Sequence, residues 1–168
     1  GNPSSIHQFG RKAKNAIQKA RKQVAALIGA EPDEILFTSG GTESNNTILY
    51  GIPKLQGSHL DQNHIITSSI EHEAILQPCK NLEDLEGFNN LTYLPVDEYA
   101  MVDLLDVENS ITENTVIVSI MFANNEVGTV QPIKEISEIC KKHNVLFHTD
   151  AVQAVGKIPI NVKELGVD

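Results

Sequence analysis

Four short polar stretches hold the side chains most able to do chemistry. Ser39-Gly40-Gly41-Thr42-Glu43 joins adjacent glycines to hydroxyls and an acid, and Ser68-Ser69-Ile70-Glu71-His72 ends in an imidazole. Ala123-Asn124-Asn125-Glu126-Val127-Gly128 offers neighbouring amides, and His148-Thr149-Asp150-Ala151-Val152-Gln153 sets an acid and an amide three positions apart. Glycines let the backbone turn sharply and approach a ligand, and free N–H groups at a helix start would attract an anion such as phosphate. An acid followed by an amide donor suits a heteroaromatic group whose ring nitrogen stays protonated and whose ring oxygen needs a hydrogen bond. His72 suits stacking on such a ring, with proton transfer within its chemistry, and Asn125 suits a carboxylate or ring oxygen. Each stretch also has a plainer reading: a tight Gly-Gly connection, a histidine satisfied by local backbone, a turn-forming Asn, an Asp that caps the next turn.

The segments between these stretches say how they could meet. Val145, Leu146 and Phe147 form an apolar run after a helix-like segment, which predicts a buried parallel strand whose carboxyl end delivers His148, Asp150 and Gln153 into a crevice. Strands are predicted in the same way over 35–38, 64–67, 91–96 and 115–121, with Pro95 marking 91–96 as near an edge. Helical spacing appears over 11–28, where Ser5 is a candidate cap and Gly29 the stop, then from Thr42 to about Tyr50, and over 74–85. Further helices run from an Asp103 cap to Ile111, from Ile133 to near His143, and over 162–165 behind Asn161, with 51–63 as a surface loop. The basic residues of the first helix lie mainly off its apolar stripe, as on a solvated face. Strands and helices alternate at the lengths of βαβ units, which predicts an α/β layered fold with a largely parallel sheet. In such a fold Gly41/Thr42, His72, Asn125 and Asp150/Gln153 arrive at one edge.

Composition narrows the classes. A chain of 168 residues with 40% hydrophobic content can build one domain around a core. Thirteen Lys and Arg against 22 Asp and Glu leave a formal charge of -9, which repels nucleic acid and anionic membranes, so neither is an expected partner. The two cysteines, Cys79 and Cys140, have no metal-ligand or disulfide-framework spacing, so no metal is expected and a reducing compartment fits. No run approaches the roughly 20 apolar residues needed to span a bilayer, and no basic-then-apolar signal pattern opens the chain. The chain begins at Gly1 and stops at Asp168 just after 164–167, where a new strand is expected to begin, so both ends are expected to be cuts. Neither GxGxxG nor GxxxxGK[ST] is present, which removes the main support for a dinucleotide or nucleoside triphosphate site.

Read together, these motifs resemble the NifS/IscS-like cysteine desulfurases, class-V members of the fold-type I pyridoxal phosphate enzymes. The likeness runs through Gly1-Asn2-Pro3-Ser4-Ser5, 37–45, Glu71-His72, 123–128 and 148–159. It implies that 1–168 is one partial cofactor-binding large domain, α/β with αβα layers and a mostly parallel mixed sheet, incomplete. It further implies that Gly41 and Thr42 hold the phosphate of pyridoxal 5'-phosphate and that His72 stacks on its ring as the catalytic histidine. Asn125 would lie beside cofactor and substrate carboxylate, Asp150 would pair with the pyridine nitrogen, and Gln153 would bond the ring hydroxyl oxygen.

The implied reaction, a sulfurtransferase step, turns L-cysteine into L-alanine and leaves the sulfur as an enzyme persulfide for iron-sulfur cluster and thio-cofactor synthesis. Its partners would be an iron-sulfur scaffold or another sulfur-acceptor protein, in a homodimeric parent located in the cytoplasm, or in the mitochondrial matrix of a eukaryote. The family's cofactor-bearing lysine, nucleophilic cysteine and substrate-gripping arginine are expected beyond Asp168, so the piece alone should not turn over cysteine. Lys157 and Lys163 lack the His-Lys context, and Cys79 and Cys140 sit on helices rather than on a mobile loop. A selenocysteine lyase and a non-catalytic scaffold subunit with the same fold are the alternative readings.

Overall fold

The structure, a computed structural model, describes residues 1–55, 63–84, 88 and 90–168. Among the described residues four strands form one sheet in the order β2-β1-β3-β4, where β1 is His64–Ser68, β2 Leu91–Leu94, β3 Thr115–Ser119 and β4 Leu146–His148. All three pairings are parallel, so every strand ends at the same edge of the sheet. The β-branched runs in β1 and β3 are buried throughout, as central strands covered on both faces must be.

Alternation within the strands sorts the core into two layers. Ile65 and Ile117, opposite each other in register, join Leu49, Ile75, Cys79 and Leu82 from helices α2 (Gly41–Leu55) and α3 (Glu73–Glu83). Ile66 and Val118 face the other way and join Val107, Ile133, Ile136 and Cys140 from α4 (Leu104–Ser110) and α5 (Ile133–Lys142). The result is the αβα sandwich expected from sequence. Each fully buried aliphatic side chain contributes about 1.5–3 kcal/mol, so truncating Ile66 or Ile117 to Ala would cost about 2–5 kcal/mol once the cavity is included. At the edge where the strands begin, the two ring nitrogens of His64 reach Thr115 Oγ1 at 2.8 Å and Thr92 Oγ1 at 2.9 Å, tying three strands together.

Local signals set most helix ends. Asp103 caps α4 by accepting from Leu105 N at 2.8 Å, and Asn161 caps the short α6 (Val162–Leu165). The long α1 (Gln8–Ile28) ends at Gly29, whose φ of 74° and approach to the Asn161 side chain admit no Cβ.

Several expectations need correcting. No strand forms over 35–38: a 3-10 turn at Pro32–Glu34 leads into irregular chain, and Leu36 and Phe37 are exposed. An apolar tetrapeptide becomes a strand only when a neighbour supplies its hydrogen bonds, and no strand of the described sheet pairs with 35–38. α1 starts at Gln8 behind His7, whose Nδ1 accepts from Gly10 N, rather than behind Ser5. Its apolar stripe is largely open, with Ile17, Val24 and Leu27 all exposed. α2 runs to Leu55 through Pro53, beyond the predicted stop near Tyr50, because its inner face packs on α3. The rest of the predicted loop, 56–62, and Leu85 lie outside the described residues. α6 stops at Gly166 with φ 73°, and Asp168 then meets the edge of β4, its N–H donating to Phe147 O at 3.0 Å.

Candidate active site

Because the strands are parallel, their carboxyl ends deliver the turns to one rim, at the edge where open α/β sheets bind ligands. A cavity of about 170 Å³ opens there, and Gly41, Thr42, His72, Asn125, Asp150 and Gln153 all line it. The six residues that the family resemblance assigns to the site therefore line one cavity. Asn45, Ala74, Met121, Ala123 and Val152 complete the wall.

Gly41 opens α2, and the first helical hydrogen bond recorded at that end runs from Ser44 N to Gly40 O, so the amides before it precede the ladder. A Cβ built on Gly41 would stand 2.9 Å from Val152 Cγ2, so this wall of the cavity is shaped by the lack of a side chain. The Glu43 carboxylate turns back to Ser39, accepting from its N–H at 2.6 Å and its hydroxyl at 2.5 Å, which holds the Glu43 pKa below the usual carboxylate range and closes the preceding turn.

His72 is the N-cap of α3, and its Nδ1 accepts from Ala74 N at 3.0 Å. With Nδ1 engaged as an acceptor, the neutral ring carries its proton on Nε2, the nitrogen left for a ligand. Asn125 is exposed at the rim, on a loop shaped by Asn124, whose Oδ1 accepts from Glu126 N at 2.8 Å and Val127 N at 3.0 Å.

Asp150 follows β4, and its backbone carbonyl accepts from Phe122 N at 2.9 Å, carrying the β3–β4 pairing to the rim. Its Oδ2 accepts from Asn45 Nδ2 at 2.8 Å and its Oδ1 from Val152 N at 3.0 Å. The carboxylate is oriented from two sides and keeps lone pairs for a third donor. The Gln153 side-chain oxygen accepts from Lys157 Nζ, which settles its amide orientation and leaves the NH₂ as the free donor. Lys157 thus has a local task that its surface position did not suggest.

His148 does not join this group. Its Nδ1 bonds Ser119 Oγ at 2.8 Å, and its ring lines a separate, mainly apolar cavity of about 360 Å³ with Ile117, Phe147, Ile160 and Val167 among its walls. Register decides this: His148 lies directly across the ladder from Ser119, whose hydroxyl captures it. Burial outweighs the attraction of Asp150 and pushes the His148 pKa down to about 4. Cys79 and Cys140 are fully buried, with both thiols pushed up to about 12 chiefly by burial, which suits core packing.

Two contributors escaped the sequence reading. Asn45, 3% exposed, lies four positions after Gly41 and thus on the same helix face, a signal available in the spacing. Glu71, 5% exposed, precedes His72 and was noted only as part of that motif.

The residues present fit a phosphorylated pyridine. The first turn of α2 beside Gly41 suits an anion, the two-point-held Asp150 suits a cationic N–H, and Gln153 presents a donor. Among the described residues no three His, Cys, Asp or Glu side chains cluster as a bound metal would require, and no helix is long and apolar enough to cross a membrane.

Comparison with known proteins gives a consistent family. The chain is 54% identical over its whole length to the cysteine desulfurase IscS of Dictyoglomus turgidum, of which it spans 42%. Among solved structures, a NifS-like protein superposes with a TM-score of 0.93 at 44% identity, covering all of this chain and 46% of that one. The structure of SspA in complex with cysteine also gives 0.93, at 40% identity and covering 100% and 47%. The chain thus spans less than half the length of these relatives. The description "Aminotransferase class-V" matches residues 1–168. With its fold shared by NifS-like proteins and that match running from first residue to last, the chain belongs to the class-V aminotransferase family.

Proposed function

We propose that this chain is the cofactor-binding part of a pyridoxal phosphate-dependent cysteine desulfurase, which takes sulfur from L-cysteine and leaves L-alanine. The observation that carries the reading is the meeting of Gly41, Thr42, His72, Asn125, Asp150 and Gln153 at one cavity, in a chain that matches cysteine desulfurases along its whole length. Bound there, pyridoxal phosphate would supply an electron sink for the negative charge left when the substrate loses its α-proton.

The chain's own residues have distinct tasks in this reading. Gly41 and Thr42 receive the phosphate at the start of α2, where amide donors and the helix dipole favour an anion. Asp150 would hold the ring nitrogen and favour its protonated form, and each tenfold gain in that proton's affinity corresponds to about 1.4 kcal/mol. Asn45 and the Val152 amide keep the Asp150 carboxylate aimed. Gln153 donates to the ring hydroxyl oxygen from the NH₂ that Lys157 leaves free. His72 would stack on the ring with its Nε2 proton available, and Asn125 would donate to a substrate carboxylate at the rim.

In the full-length protein the sulfur would pass to an iron-sulfur scaffold or another acceptor for cluster and thio-cofactor synthesis, within sulfur metabolism. We place that protein as a homodimer in a reducing compartment, the cytoplasm or the mitochondrial matrix of a eukaryote. Two buried, unpaired thiols support such a compartment.

The test adds pyridoxal phosphate to the full-length protein, records the visible absorption of the bound cofactor, and assays alanine and sulfide release from cysteine. Asp150→Ala should keep the fold and remove most activity. Release from selenocysteine alone would favour a selenocysteine lyase, and cofactor binding without turnover of either amino acid would favour a scaffold subunit.

A further inference from the structure

His72 and Asn125 reach the cavity from different strands, on turns that lie beyond the end of the sheet. The β1–β3 ladder stops at Thr67 and Ser119. Past that point the two turns are joined through side chains. Glu71 Oε1 accepts from Ser68 Oγ at 2.6 Å and from Met121 N at 2.8 Å, so one oxygen holds both the end of β1 and the backbone that follows β3. Beside it, Asn124 Nδ2 donates to Ile70 O at 3.0 Å, while Asn124 Oδ1 organises the amides of Glu126 and Val127. His72 follows Glu71 directly and Asn125 follows Asn124, so both rim residues ride on these cross-links.

Building on the reading of the cavity as a cofactor site, we propose that Glu71 is a positioning residue. Its Oε1 braces the His72 turn against the 121–125 loop and so sets the gap between His72 and Asn125. The second carboxyl oxygen, Oε2, is buried and has no partner among the described residues. An ionised carboxylate in that position would carry an unsatisfied buried charge, whereas the neutral acid keeps the bracing oxygen as an acceptor at much lower desolvation cost. Burial is the main reason the Glu71 pKa rises from 4.5 to about 7, against the opposing effect of its two hydrogen bonds. Asp150, from the turn after β4, adds to the rise by repulsion, and Glu71 in turn pushes up the thiol of Cys79 on α3.

The sign of the linkage follows. Between pH 4.5 and about 7 the folded state holds a proton on Glu71 that the unfolded chain has released, so this group's contribution to stability declines as pH rises through that window. Glu71→Gln copies the neutral acid: it keeps a carbonyl oxygen for Ser68 and Met121 and cannot ionise. Glu71→Ala removes the brace and leaves the Met121 amide unpaired.

The test uses the full-length protein with three readouts: equilibrium affinity for pyridoxal phosphate, the NMR resonances of the His72 ring in the cofactor-free form, and urea stability against pH. Glu71→Ala should weaken cofactor binding by about tenfold and move the His72 resonances. Glu71→Gln should restore both and flatten the decline in stability between pH 4.5 and 7. Ser68→Ala, which cuts one of the two bonds, should move the His72 resonances in the same direction and by less, and it carries the test if Glu71→Ala fails to fold. Unmoved resonances in Glu71→Ala or, failing that, Ser68→Ala would overturn the proposal, as would a Gln variant as impaired as the Ala variant. A wild-type protein that does not bind pyridoxal phosphate would sink the cofactor reading alone, since the His72 resonances and the pH slope still decide the role of Glu71.

Discussion

Asn45 Nδ2 donates to Asp150 Oδ2 at 2.8 Å, a bond between residues 105 positions apart that ties the helix behind the glycine turn to the acid at the end of β4. The two ends of the proposed cofactor site, phosphate cradle and ring-nitrogen acid, are thereby locked to one another. Asn45 is buried, so its amide has no water to fall back on.

Asn45→Ala should therefore cost about 1.5–3 kcal/mol, the usual worth of a hydrogen bond to a charged group, read as a lower urea midpoint. Cofactor affinity should fall with it. Asn45→Asp should be worse than Asn45→Ala, because it sets two carboxylates against each other in a buried position. If the Asp variant proved the milder of the two, the bond would not be holding Asp150.

At Gly41 the prediction is steric. Gly41→Ala places a methyl 2.9 Å from Val152 Cγ2, closer than carbon atoms normally approach. The expected result is weaker binding of pyridoxal phosphate, with partial recovery in a Gly41→Ala/Val152→Ala double variant. A double-mutant cycle reads the coupling, expected at about 0.5–3 kcal/mol for residues in contact, and a cycle that closes to zero would deny the contact any role.

His148 predicts acid sensitivity. Its folded pKa of about 4 lies below the ordinary 6.5, so the unfolded chain binds a proton in this window that the folded chain does not. Its contribution to stability is fully present above about pH 6.5 and is lost as pH falls toward 4. His148→Gln should make urea midpoints less dependent on pH across that range. Glu71 acts with the opposite sign over much of the same interval, so each variant is best compared with wild type at matched pH.

Cys79 and Cys140 should resist thiol reagents in the native protein. Both are buried and both thiols are pushed up to about 12, so the reactive thiolate is scarce at neutral pH. Peptide mapping after alkylation should find neither modified until denaturant is added. Rapid native labelling of Cys79 or Cys140 would contradict the core assignment.

Much of this molecule was legible in its chain. The β-branched runs of β1 and β3, the caps at Asp103 and Asn161, and the glycine stop at Gly29 are local signals whose meaning barely depends on neighbours. The alternation of strand and helix then sends His72, Asn125, Asp150 and Gln153 to one rim, since parallel strands share an end, and the start of α2 brings Gly41 to the same cavity. What tertiary structure decided were the pairings made at a distance. Residues 35–38 are as apolar as a strand but have no ladder beside them, and His148 lies near the rim in sequence yet turns to Ser119 because register sets the two opposite each other. Asn45 and Glu71 look like ordinary polar residues until packing brings Asp150 to one and Met121 to the other. A residue's own propensity acts over a few neighbours, whereas a buried polar group is defined by the partner that replaces water, and that partner is chosen only when the sheet assembles.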